Sequence, residues 1–189
     1  MKIVTEQFTF TEVMNAAGLK PVQFQNWLKS TAVKNAVKNA AKSVDSGDVV
    51  IHSDGIRGKE RTFSYYALMT FVTAKALVDI HLSPKRAFKL ALRFAATDDI
   101  QGETREVGLP CHPALGDTYL ISDGHLDAIV TRKEGEDWDH VFQKASLYSE
   151  GSAPARLTVN LSKLFERVMI GLKHDPDEIL DEAYGEVSG

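Results

Sequence analysis

The 189-residue sequence has a single cysteine, Cys111, so no disulfide can close within the chain. A lone thiol fits a reducing compartment, and a cytoplasmic location is expected. No apolar run approaches the roughly 20 residues of a bilayer-crossing helix. The opening Met1-Lys2-Ile3-Val4-Thr5-Glu6 lacks the long apolar stretch of a secretory signal. No membrane partner is therefore expected. There is no glycine-rich phosphate loop, no metalloprotease helix motif and no internal repeat. Cys111, His112, His125 and His140 lack the paired spacing of a structural zinc site. Cys111 and His112 are adjacent in sequence, and adjacent side chains rarely face one another as a thiol nucleophile and its base must. The expectation is a protein that is not an enzyme and holds no metal or other cofactor.

The apolar and charged fractions, 43% and 25%, are ordinary for a globular chain long enough to bury a core. The charge is unevenly placed. Residues 1–96 carry 14 Lys and Arg against 7 Asp and Glu, whereas residues 97–189 carry 8 against 19. A basic module attracts phosphates, and an acidic one is held away from them.

The basic half also carries the clearest local pattern. Thr9 or Thr11 can cap a helix with Glu12 in its first turn. Phe10, Val13, Met14 and Ala17 fall on one face of that helix. Gly18 suits its left-handed end, and Pro21 suits the first turn of the next helix. In that second helix Phe24, Trp27 and Leu28 form an apolar stripe, with Gln23, Gln25, Asn26 and Lys29 elsewhere around it. A third helix is expected over Thr31 to Ser43, with Lys34, Lys38 and Lys42 as a basic face. Val49 to His52 and Arg61 to Phe63 read as short strands of a hairpin with Arg57 and Lys59 at its tip. Helices follow from Ser64 and from the Ser83-Pro84 cap. On them Arg86, Lys89 and Arg93 are expected to be solvated.

Residues 97 to 117, with Gly102, Gly108, Pro110, Pro113 and Gly116, read as a linker. Beyond it come a strand–turn–strand unit over Tyr119 to Thr131 and a helix over Asp137 to Ala145. A strand over Arg156 to Asn160 and a helix capped by Ser162 follow. The acidic stretch from His174 is read as a tail whose last residues fray.

The order helix, turn, helix, hairpin wing, helix, helix over residues 8–96 resembles the winged helix-turn-helix of the MerR family. Phe8-Thr9-Phe10-Thr11-Glu12-Val13, running to Gly18-Leu19, resembles its opening helix and turn. Phe24-Gln25-Asn26-Trp27-Leu28 resembles its recognition helix, and Arg61-Thr62-Phe63-Ser64 the return strand of its wing. Leu82-Ser83-Pro84-Lys85-Arg86-Ala87 is similar to the start of its fourth helix. The chain departs from the family in a longer stretch between recognition helix and wing. It also replaces the family's long dimerising helix with a Gly/Pro-rich segment.

The expected fold is thus α+β and mainly α, a winged helix-turn-helix followed by a small α+β region. The expected division is a winged helix-turn-helix domain over 1–97, a linker over 98–117, and a dimerisation or sensing region with an acidic tail over 118–189. The resemblance implies double-stranded DNA as partner and regulation of transcription, and a homodimer is expected through the C-terminal half because symmetric operators commonly demand one. Helix 22–29 would read the major groove and the wing 49–63 would meet phosphate or minor groove. Gln23, Gln25, Asn26 and Lys29 are the base-reading candidates, since Gln and Asn can pair with adenine and Lys can reach guanine. Lys20, Lys34, Lys38, Arg57, Lys59 and Arg61 are candidates for the phosphate or minor-groove contacts. Tyr65 and Tyr66 follow the wing and can donate to a phosphate or lie buried. Two alternatives stand beside this reading: a DNA-organising or packaging adaptor, and an interaction module that touches no DNA. The C-terminal region is also where an effector or protein partner is expected.

Overall fold

The computed structural model describes residues 2–31, 33–34, 62–96, 99–100, 103–123, 126–145 and 156–185. A short 3-10 turn, Ile3–Thr5, leads into strand β1, Gln7–Thr9, and helices α1, Phe10–Ala16, and α2, Pro21–Lys29. Strand β2, Thr62–Ser64, then precedes helices α3, Tyr65–Asp79, and α4, Pro84–Ala96. Two short strands follow, β3, Asp99–Ile100, and β4, Glu103–Thr104. The rest comprises β5, Asp117–Ser122; β6, Asp127–Arg132; α5, Trp138–Lys144; β7, Leu157–Asn160; α6, Leu161–Gly171; and α7, Pro176–Tyr184. The chain is α+β and mainly α.

Helix α3 is the axis. Tyr65, Ala67, Leu68, Met69, Thr70, Phe71, Val72, Thr73, Ala74 and Leu77 are all buried. A helix that is apolar nearly all round belongs inside a protein. Here α1, α4, α6, β1 and β2 all lie against it. Phe71 stands at the centre of a ring cluster. Its ring centroid lies 4.8 Å from that of Phe24, 5.5 Å from Phe88 and 6.1 Å from Phe63, each edge to face. Phe10 joins through Phe24 at 4.6 Å, and Trp27 joins through Phe88 at 5.1 Å. These rings come from α1, α2, β2, α3 and α4, so one cluster ties together the described elements of the first half.

The strand after residue 61 is described from Thr62 on, and the partner expected for it over 49–52 lies outside the described residues. It covers Thr62–Ser64, and its partner among the described residues is β1, antiparallel with Phe8 opposite Phe63. The buried Phe8–Phe63 pair sets this register, and one residue of slip would expose both rings. Ser64 then caps α3 by accepting from the Ala67 N–H.

The described part of the 98–117 stretch is not an open linker. Arg105, Leu109 and Cys111 are buried, and one core cluster joins described residues from Ile3 to Leu180. The Arg105 guanidinium donates to the carbonyls of Leu109 at 2.9 Å and Phe94 at 3.1 Å and lies over the Phe94 ring. Tyr65 donates its hydroxyl to the Gly108 carbonyl. Gly108 and Gly116 do lie in turns, with φ 78° and 115°. Yet buried donors from neighbouring elements satisfy the turn carbonyls, which makes the segment part of the core.

Strands β6, β5 and β7 form an antiparallel sheet in that order. Leu120 and Ile129 join the main core, while Ile121, Ala128 and Val130 face Val141 of α5 in a second cluster. The alternation is the two-residue period of a strand. Helix α6 starts at Leu161, and its cap is Asn160, which accepts from the Lys163 N–H. Ser162, the expected cap, instead accepts from the Thr118 N–H of β5. The expected tail is largely helix α7, capped by Asp175, with Ile179 and Leu180 buried. Tyr184 of α7 donates to the Pro110 carbonyl and accepts from the Glu106 N–H. Two buried apolar residues and this tyrosine dock an otherwise acidic helix.

Phe71→Ala is expected to lower the unfolding free energy by about 3–5 kcal/mol, the usual cost of emptying a phenylalanine site. Urea unfolding of the two proteins measures it. Gly108→Ala is expected to destabilise too. Gly108 has φ 78°, and a Cβ there would meet the Tyr66 ring at 2.8 Å.

Candidate nucleic-acid interface

Helix α1 enters through a capping box. The Thr9 hydroxyl accepts from the Glu12 N–H, and the Thr9 N–H donates to Glu12 Oε2 at 2.7 Å. Helix α1 leaves through a Schellman turn, in which the Leu19 N–H donates to the Met14 carbonyl and the Gly18 N–H to that of Asn15. Gly18, at φ 62°, holds the left-handed position this turn requires. Leu19 is buried, and Pro21 opens α2 where its missing N–H is not needed. The turn between the two helices is therefore short and specified residue by residue.

The phase of α2 follows from its buried side. Phe24, Trp27 and Leu28 enter the core. At about 100° per residue, the opposite face carries Val22, Gln25, Asn26 and Lys29, spaced i, i+3, i+4 and i+7. All four are exposed, as is Lys20 before the helix. Gln23 is half-buried on the flank of that face. Val22 is the residue that sequence reasoning passed over. Its helical phase relative to the buried stripe was the available signal.

Ser30 separates α2 from the next helical turn, where its hydroxyl accepts from the Val33 N–H. Val33 is buried, which leaves Lys34 exposed. From Val13 to Val44 the sequence has no Asp or Glu and five lysines. Lys38, Arg57, Lys59 and Arg61, and the hairpin partner strand expected over 49–52, lie outside the described residues.

Other candidates are taken up by packing. The Tyr65 hydroxyl is buried on the Gly108 carbonyl, and burial raises its pKa well above the usual 10.0. It is not a phosphate donor. Arg86 is exposed, as expected, and also donates to Ser122, which in turn donates to Asp127 at 2.7 Å. Cys111 is buried with its sulfur 3.2 Å from the Thr131 hydroxyl. His112 Nδ1 accepts from the Ala114 N–H, so Nε2 carries the proton donated to Asp181 at 2.9 Å. His140 lies on α5, across the sheet from Cys111, 3.7 Å from Glu136. His125 lies outside the described residues.

A cleft of about 570 Å³ separates α1, α3 and α6, with Glu12, Asn15, Lys75, Asp79, Leu164 and Arg167 on its walls. It borders helix α1 of the first half and helix α6 of the second.

No known protein family, curated protein or solved structure matches this chain.

The hydrogen bond from the Thr9 backbone, and then that from its hydroxyl, holds the Glu12 carboxyl below its ordinary 4.5. A carboxylate held low in the fold stabilises it above that ordinary value, and the contribution fades as pH falls through the lower folded value. Wild type is thus expected to lose stability below about pH 4.5 more steeply than Glu12→Gln, as thermal melts at stepped pH would show. Thr9→Ala is expected to cost about 1 kcal/mol at neutral pH.

Proposed function

We propose that the chain binds double-stranded DNA through a MerR-like winged helix-turn-helix and regulates transcription in the cytoplasm, as a binding protein and not a catalyst. The observation that carries the reading is the outward face of α2. Gln25, Asn26 and Lys29 stand exposed on one side of a helix whose other side is locked into an aromatic core. These side chains match the donor and acceptor pattern of base edges in the major groove. A recognition helix also has to be rigid, and the Schellman turn and ring cluster supply that. The acid-free segment with its five lysines supplies the phosphate attraction.

In this reading Lys20 and Lys34 neutralise phosphates, and Lys38, Arg57, Lys59 and Arg61 extend the same role. The C-terminal region is proposed as the dimerising or sensing part. Exposed Leu126 and Ile170 offer apolar surface for a second copy. The cleft between α1, α3 and α6 is the proposed place for an effector, since it borders both halves. Palindromic operators commonly pair with such a two-fold protein.

Random-sequence selection with the purified chain tests the proposal. An enriched motif with salt-sensitive binding is expected, and the absence of both would refute it. Lys34→Ala is expected to weaken binding to all sequences and to reduce the slope of log K against log salt by about 1. Asn26→Ala is expected to relax preference at one base pair at a cost of about 1–3 kcal/mol. Sedimentation of the chain alone tests the dimer separately.

A further inference from the structure

We propose that Val22 is a base-reading residue that recognises the 5-methyl group of a thymine. This rests on α2 lying in the major groove as proposed above. Val22 is 69% exposed, the most of the large apolar side chains among the described residues. Scattered exposed apolar residues are common, but the setting of this one is specific. It is the second residue of α2, and N-terminal residues of a recognition helix are the ones that reach base edges. It shares a face with Gln25, Asn26 and Lys29, at i+3, i+4 and i+7. A β-branched residue is also a poor choice for an exposed helical position, because its side chain loses rotamer freedom there. In the free protein no burial of Val22 offsets that loss.

The major groove presents only one apolar group on its base edges, the thymine methyl. A valine beside three hydrogen-bonding side chains is therefore chemically complementary to a thymine next to bases read by those side chains. Spacing narrows its position. Val22 and Asn26 are about 6 Å apart along the helix axis, and stacked base pairs are about 3.4 Å apart. The thymine is accordingly placed within two base pairs of the one read by Asn26.

The test uses the full chain and the motif obtained by selection. Each thymine is replaced in turn by deoxyuridine, which removes the methyl and leaves the hydrogen-bonding edge unchanged. Wild type is expected to bind about threefold to fivefold more weakly at one thymine per half-site, the loss of one buried methyl. Val22→Ala is expected to bind the thymine and uracil sites alike, with a melting temperature equal to or slightly above that of wild type. The critical thymine is expected within two base pairs of the position whose preference Asn26→Ala relaxes. Wild type indifferent to uracil at every position, or Val22→Ala as sensitive as wild type, would overturn the assignment while leaving DNA reading by α2 intact. Failure of the chain to select any motif would overturn both.

Discussion

The edge-to-face packing of Phe24 against Phe71 is the contact on which the first half of the molecule depends. Phe71 lies on α3, the helix that the core surrounds, and Phe24 lies on the buried side of α2. Aromatic pairs in this geometry add about 0.5–1.5 kcal/mol beyond their burial. Their larger effect here is orientation. With Phe24, Trp27 and Leu28 held by α3 and α4, the rotation of α2 about its own axis is settled, and with it the set of side chains that face outward. Val22, Gln25, Asn26 and Lys29 are presented together because of what lies behind them.

A second constraint closes the other end. Arg105, Tyr65 and Tyr184 donate to five carbonyls between Phe94 and Pro110. A buried guanidinium without such acceptors would be costly. Bonded to them, it joins the end of α4 to the turn before β5. Helix α7 then returns toward the N-terminus, with the Lys2 N–H donating to Glu182 and His174 lying 3.4 Å from Glu6. The acidic second half is thus packed against the basic first half. Its negative charge is not confined to a loose extension.

Local signals were legible where they depend on near neighbours. Thr9, Gly18 and Pro21 marked the two ends of the first turn, and Ser64 marked the start of α3, because caps and left-handed positions are chosen by the residues beside them. Among the described residues, most of the other expected elements came within a few residues of the structure for the same reason. Errors arose where the partner is distant. Ser162 has the chemistry of a cap, but Asn160 takes that role and Ser162 serves a neighbouring strand. Pro110 and Gly108 suggested a linker, since nothing local reveals that Tyr65 and Tyr184 bond to their carbonyls.

The candidate DNA face divides in the same way. Sequence alone determined that α2 has one apolar stripe and that glutamine, asparagine and lysine lie elsewhere around it, because periodicity is a property of the chain. Only tertiary structure decided how those polar residues sort. It turned Gln23 to the flank, left Val22 in the open, buried Tyr65 and fastened Arg86 to Ser122. A helix has one buried side only when something is packed against it, and here that is an aromatic cluster assembled from residues as far apart as Phe10 and Phe88.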